Sequence, residues 1–387
     1  MGRNKEIIVS QFEYDGYDLA VAFNHVAQKR FGPDPYVGVK MKWWHFRDPV
    51  TFVSIKTGLN QEVKVPIRTM RIPGINSEFN IDGPTIHAFV DKSHVSTVEN
   101  FLAEVKNHLE TASIYKGKAI TSSRGFLDLS GINFDALVYN ERVLRELNEN
   151  LWVLIEKTEE CLRAGASINR KVLFEGKFGT GKTLAILLTA KKAIENGFTF
   201  FYVEPTASDI SKAVEFMIAI TRKYKRTVLA IEDFDREQRA GDPYAVGRLM
   251  MAIDGMLSKD SETIILYSTN FSDKIAGGFK RPGRVDKTVS FNTFNSVDAE
   301  RLLKIVIPPG FICPKINWDK IGNTSSRMTP AFVKEVGTGS VLAGISRAKK
   351  GETPVVTEDI LLNVIEGLEG QHRACEAAQQ LGFHGNA

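Results

Sequence analysis

The sequence predicts an α/β chain: a parallel sheet interleaved with helices, preceded by a small α+β domain. Three observations predict it. A glycine-rich stretch, Gly176-Lys177-Phe178-Gly179-Thr180-Gly181-Lys182-Thr183, separates the apolar run Val172-Leu173-Phe174 from the helix-forming run Leu184-Ala185-Ile186-Leu187-Leu188. Further apolar runs of strand length recur at 198–203, 228–231 and 263–269, with segments of helical spacing between them. Strands buried on both faces read in this way. Before residue 115 the pattern differs, and short β-branched and aromatic runs flanked by two helical stretches describe a separate α+β unit.

The 387 residues suffice for two or three domains. A composition of 43% hydrophobic and 25% charged residues is that of a globular chain. No apolar run approaches the ~20 residues of a membrane span. The start, Met1-Gly2-Arg3-Asn4-Lys5-Glu6, is polar and lacks an apolar signal core, so a cytoplasmic location away from membranes is expected. Cys161, Cys313 and Cys375 are far apart and odd in number, which fits reduced thiols. A net charge of +4 is too small to argue by itself for a nucleic-acid partner.

In chain order, Asp18 to Phe31 has helical spacing and Gly32-Pro33 ends it. Val37–Trp43, Val50–Ile55 and Val63–Ile67 read as strands of a small sheet, with Thr57-Gly58-Leu59-Asn60 as a turn. Pro66 cannot donate to a ladder, which puts its strand at an edge or bulge. Thr85–Val90 is a further strand and Val98–Leu109 a helix. Trp43-Trp44 has the look of a recognition patch, but neighbouring strand side chains face opposite ways, so at least one belongs to a core. His25, His45, His87, His94 and His108 show no metal-ligand spacing. This unit, residues 1–115, carries no legible chemistry. Residues 116–133, rich in Gly, Ser and Lys, read as a linker, and Asn140–Leu162 as one long amphipathic helix.

The chemistry begins at Gly176. G-x-x-x-x-G-K-T after a strand and before a helix turns several backbone N–H groups toward one anion, and the helix start adds its positive end. Lys182 reaches the β- and γ-phosphates of a nucleoside triphosphate and the Thr183 hydroxyl holds Mg²⁺. Roughly fifty residues on, Val228-Leu229-Ala230-Ile231 ends in Glu232-Asp233. One carboxylate there can hold the metal and the next can orient the attacking water. Thr263–Thr269 delivers Asn270, which can hydrogen-bond that water or the γ-phosphate. Eleven positions later comes Arg281-Pro282-Gly283-Arg284, two guanidinium groups on a turn, suited to phosphate geometry. The basic cluster Arg222–Arg226 sits at a helix end, where cations complement the dipole.

With these residues in view, the chain resembles the AAA family of ATPases over roughly Phe134 to Gln380. The resemblance implies a large nucleotide-binding domain at 134–296 and a helical lid with a tail at 297–387. It implies ATP and Mg²⁺ as ligands, a phosphate loop at Gly176–Thr183 continuing into Leu184, and adenine packing near Leu137-Val138-Tyr139. By position it gives the metal to Glu232 with Thr183, the attacking water to Asp233, the sensor role to Asn270, and the part of paired arginine fingers to Arg281 and Arg284. In the lid, Met328-Thr329-Pro330-Ala331-Phe332 opens a helix with Thr329 as N-cap. This chain departs from the family pattern in three places. Lys177-Phe178 stands for the usual Pro-Pro, Glu232-Asp233 reverses the usual Asp-Glu, and Glu204–Ile210 is too short for an aromatic pore loop. The last two make the motor similar to the mitochondrial translocases of folded Rieske protein.

The expectation is an ATP-hydrolysing homo-oligomeric ring, a hexamer by resemblance, that remodels or translocates a protein held by the amino-terminal domain. The alternatives are a nucleic-acid motor or helicase loader, suggested by Arg222–Arg226 and Ser346–Lys350, and a nucleotide-gated assembly protein.

Overall fold

The structure is a computed structural model, and it describes residues 5–39, 48–134, 138–206, 209–221, 223–236, 241–242, 244–256, 262–271 and 283–381. By contact density the chain divides into two units, residues 1–128 with 193–229 and 247–263, and residues 129–192 with 230–246 and 264–387.

The first unit opens with β1 (Lys5–Gln11) and α1 (Gly16–Phe31). Asp15 caps α1 by accepting from the Tyr17 amide, and Gly32 ends it at φ 98°. Then come β2 (Thr51–Gly58), β3 (Gln61–Ile72), β4 (Ser77–Asp82), β5 (Thr85–Asp91) and α2 (Val95–Ala112). The antiparallel order is β1-β5-β4-β3-β2. Pro66 faces Phe52 of β2, and pairing with β4 begins only at Arg68, so the proline's other side carries no ladder bond. One face of this sheet packs on α1 and α2 around Phe23, whose ring meets Phe79 at 5.3 Å and Phe101 at 5.1 Å.

Two strands here were not expected. β4 alternates Ser77, Phe79, Ile81 inward with Glu78, Asn80, Asp82 outward or part-way, a pattern masked by its acidic residues. β1 is hidden because Ile7 and Val9 are exposed, while Ile8 is only partly buried against the core. The expected strand Val37–Trp43 does not form over its described part. Val37 makes an isolated bridge to Arg71, and beyond it the Val39 carbonyl accepts from the Asp48 amide at 2.9 Å without a strand assignment at Gly38 or Val39. Trp43-Trp44 and His45 lie outside the described residues.

Residues 116–133 contain β6 (Ala119–Thr121), buried and paired parallel with residues 200–202. Asn140–Leu162 is not one helix. α3 (Glu141–Leu147) runs through a π-helical turn at Asn148–Trp152 into α4 (Val153–Glu156), and the chain breaks at Lys157 before α5 (Thr158–Arg163). The Thr158 hydroxyl donates to the Leu154 and Ile155 carbonyls, a local competitor for the helical ladder. β7 (Arg170–Gly176), α6 (Lys182–Glu195), β8 (Thr199–Val203), α7 (Ile210–Thr221), β9 (Arg226–Ile231), α8 (Ala245–Met256), β10 (Glu262–Thr269) and β11 (Lys287–Phe291) follow.

In the first unit the strand order is β9-β8-β6; in the second it is β11-β7-β10, and the last two residues of β9, 230–231, belong to the second unit. The second unit is completed by α9 (Ser296–Val306), α10 (Trp318–Ser325), α11 (Pro330–Arg347) and α12 (Glu358–Leu381), packed on one another around Leu303, Ile321, Val333, Val336 and Leu361.

A buried carboxylate ties the first unit together. Asp18 accepts from the Ser113 hydroxyl at 2.6 Å and the Ile114 amide at 3.0 Å, while Ser113 also meets the Tyr224 hydroxyl at 2.7 Å. Burial pushes the Asp18 carboxyl up to about 6. The rest of the Arg222–Arg226 cluster is largely spent on ion pairs. Lys223 pairs with Glu13, Arg226 with Glu262 at 2.7 Å, and Lys225 with Glu262 at 3.4 Å; Arg222 lies outside the described residues.

Candidate nucleotide site

The site is built wholly within the second unit, at the carboxyl ends of β7, β9 and β10, where open α/β sheets bind ligands. β7 delivers Gly176, and the loop from Lys177 to Gly181 returns into α6. Two glycines are indispensable to its course. Gly179 sits at φ 74°, and a Cβ there would meet Ala331 at 2.9 Å. Gly181 sits at φ 98°, and a Cβ there would meet the Tyr139 ring at 3.0 Å. The Thr180 hydroxyl braces the turn by donating to the Lys177 carbonyl at 2.8 Å.

Lys182 is buried at the centre. Its ammonium donates to the Gly176 carbonyl at 2.7 Å, the Lys177 carbonyl at 2.9 Å and Asn270 Oδ1 at 2.7 Å. Asn270 Nδ2 in turn donates to Asp233 Oδ1 at 2.7 Å. One relay thus joins the loop lysine, the end of β10 and the acid after β9. Asp233 holds the left-handed φ of 46°, with its amide on Ser268 Oγ at 3.3 Å. Such a backbone is costly for a non-glycine residue and fixes the carboxylate toward Asn270. Glu232 and Asp235 are both buried beside it.

Desolvation by burial pulls Lys182 down to about 8, opposed by Asp233, Glu232 and Asp235. A triphosphate favours the charged form, so the bound protein keeps the proton that the free protein sheds above that pH. The contribution is full below about pH 8 and fades above it. ATP is therefore expected to bind about tenfold more weakly at pH 9 than at pH 7. Calorimetry at the two pH values checks this; equal affinities would show a lysine charged throughout.

The expected loop residues and Tyr139 fall around this centre, whereas Arg284 lies apart from it. Thr183 and Leu184 open α6 with exposed side chains, leaving the Thr183 hydroxyl accessible to a ligand. Tyr139 is buried and donates to the Gly181 carbonyl at 2.8 Å, with its ring 5.8 Å from that of Phe291. Phe178 is half exposed and meets Phe271 edge-on at 5.7 Å, so the phenylalanine in the loop extends an aromatic rim instead of a stiff proline turn. Lys177 is exposed. Arg284 is exposed on a segment anchored at the amino end of β7: Asp286 accepts from the Lys171 amide at 2.8 Å, and Lys171 Nζ donates to the Gly283 carbonyl at 3.1 Å. Arg281 and Leu137 lie outside the described residues.

Spacing alone did not reveal the lid's part. The Ala331 amide at the start of α11 donates to the Gly179 carbonyl at 3.0 Å. Thr329 occupies the N-cap position with Pro330 behind it, yet its hydroxyl makes no cap bond. That hydroxyl is buried without a partner among the described residues, 3.1 Å from where a Gly179 Cβ would stand. The signal was present as Thr-Pro, but capping rules do not say what the helix start faces.

The donor set fits a triphosphate with Mg²⁺. The loop is a cradle that side chains would fill, one buried ammonium faces three acids, and a hydroxyl stands free at the helix start. Residues 172–293 match the family model described as ATPase family associated with various cellular activities (AAA). This stretch is an AAA ATPase domain. The AAA domain and its flanks are also similar to curated proteins. An ATP-dependent zinc metalloprotease FtsH of Mycoplasma mobile is 26% identical over 240 residues, covering 58% of this chain and 33% of the relative. FtsH 3 of Sphaerobacter thermophilus is 25% identical over 236 residues, 57% of this chain and 47% of its own. The 26S proteasome regulatory subunit 6A of Encephalitozoon cuniculi is 25% identical over 244 residues, 59% of each chain. The chain thus spans between a third and three fifths of these relatives' lengths. Among the described residues no helix is long and apolar enough to cross a membrane.

Proposed function

We propose that the protein hydrolyses ATP in an Mg²⁺-dependent reaction and uses the cycle to remodel or translocate a protein substrate, working as a homo-oligomeric ring, hexameric by analogy. The observation that carries the ATPase reading is the Lys182–Asn270–Asp233 relay over the glycine cradle. Lys182 and the loop amides hold the phosphates, and Thr183 with Glu232 holds the metal. The metal, when bound, neutralises charge on the phosphate oxygens. Asp233 orients the attacking water and takes its proton, while Asn270 keeps that carboxylate aimed. Tyr139 closes the adenine side.

The similarity to a protease and to a proteasome regulatory subunit supports protein as the substrate. So does the fate of the basic cluster, whose described cations are engaged in ion pairs instead of forming a patch for nucleic acid. We place the motor with the Rieske-translocase branch for its reversed acids and its short Glu204–Ile210 segment. Asp209 there caps the Lys212 amide at 2.9 Å and α7 starts at once.

The two acids separate by experiment. Asp233→Asn should keep ATP affinity and slow turnover by about 100-fold, the scale of a lost general base. Glu232→Gln should instead weaken the Mg²⁺ dependence of binding. Turnover preserved in Asp233→Asn, with ATP trapped by Glu232→Gln, would reverse the two roles.

A further inference from the structure

The first unit holds an open cavity of about 710 Å³, within the size range of ligand sites and lined by none of the residues of the nucleotide site. Phe12, Ile67, Ile81, Phe216 and Ile220 give it mainly apolar walls. Five charged side chains reach it: Glu13, Asp15, Arg68, Arg124 and Lys223. Four of them are spent on one another. Glu13 pairs with Lys223, and Asp15 with Arg124 at 3.1 Å. Arg124 is held further between two rings, 4.8 Å from Tyr17 and 4.6 Å from Phe216. Arg68 is left over. It is exposed, stands at the left-handed φ of 62°, and its side chain makes no hydrogen bond or ion pair with a described residue. The backbone groups of Glu13 and Tyr14, also on the rim, bond to no described residue either.

We infer that this cavity is a peptide-binding site that takes an apolar side chain flanked by a carboxylate. The walls accept the apolar group. Arg68, the lining cation without a partner among the described residues, receives the carboxylate in the forked geometry that a guanidinium offers. The free backbone of Glu13 and Tyr14 can pair with an extended chain, which selects a polypeptide over a compact anion. The inference rests on the reading of a protein substrate and supplies what that reading lacks, the chemistry of the segment recognised. Position adds a consequence. Phe216, Ala219, Ile220 and Lys223 belong to α7 and the turn after it, while Ile67 and Arg68 belong to β3, so an occupant touches both at once.

The test uses the full chain and three fluorescein-labelled dodecapeptides in a Gly/Ser background, carrying Leu-Phe-Asp-Asp, Leu-Phe-Asn-Asn or Ser-Ser-Asp-Asp. Anisotropy titrations should show the first bound about tenfold more tightly than either control, and more weakly in high salt. Arg68→Glu, on an exposed residue, and Ala219→Trp, which fills the cavity from an exposed helix position, should each weaken it by about tenfold. Melting temperature and ATP turnover, measured on the same samples, should be unchanged. Equal binding of the three peptides, no binding of the first, or affinity unaffected by both variants would overturn the site. Intact turnover with no peptide selectivity sinks the cavity alone, whereas absent turnover in the unaltered protein sinks the ATPase reading.

Discussion

Lys182→Ala should lose ATP affinity by roughly two to three orders of magnitude, to the edge of detection by calorimetry. Two effects add in this variant. The triphosphate loses the one ammonium placed at the centre of the cradle, a buried charge-assisted contact of the kind whose truncation costs about 2–5 kcal/mol. The loop also loses its own internal cation. Lys182 satisfies the Gly176 and Lys177 carbonyls and Asn270 Oδ1 together. Alanine leaves these three acceptors facing one another, along with Asp233 behind Asn270. The variant should therefore show a lower melting temperature without nucleotide and no rise on adding it. Unchanged affinity would remove the phosphate loop from the site.

Arg284→Ala should bind ATP normally and hydrolyse it about 10³-fold more slowly, if Arg284 completes the site of a neighbouring copy. The geometry supports action on a neighbour. Arg284 is tethered beside Lys171, at the opposite end of β7 from the phosphate loop. Lys171 and Gly176 are five residue steps apart along β7, about 16 Å at the usual rise, beyond the reach of an arginine side chain. Mixing decides it. Lys182→Ala supplies an intact arginine without nucleotide, and Arg284→Ala supplies nucleotide without the arginine. In mixed rings that exchange subunits, part of the lost turnover should return. No gain on mixing would leave Arg284 a structural residue, worth only the ~0–1 kcal/mol of an exposed ion pair.

The site was legible wherever chemistry demands a residue type at a fixed spacing. The cradle, Lys182, the acids after β9 and Asn270 after β10 were all named from order alone, and the structure joins the cradle, Lys182, Asn270 and Asp233 by hydrogen bonds. Contacts between elements distant in the chain were not legible. Nothing in the sequence near Gly179 announces Ala331, and nothing near Asp18 announces Ser113 or Tyr224. In the fold, buried parallel strands were plain because they are apolar on both faces. β1 escaped because its most apolar residues point outward, and β4 because acids fill its other face. The helix after Asn140 was over-read. Its apolar spacing survives the π turn, so periodicity alone cannot mark where the ladder changes.

The hydrogen bond from Ala331 to the Gly179 carbonyl has a mechanical meaning. α11 runs 18 residues from Pro330 to Arg347, about 27 Å at helical rise. Its near end rests on the turn of the glycine cradle. Each degree of tilt imposed at that turn carries the far end through about half an ångström by this length. A phosphate group that shifted this turn on entering the cradle would act on the short arm of a lever whose long arm is the outer end of the lid.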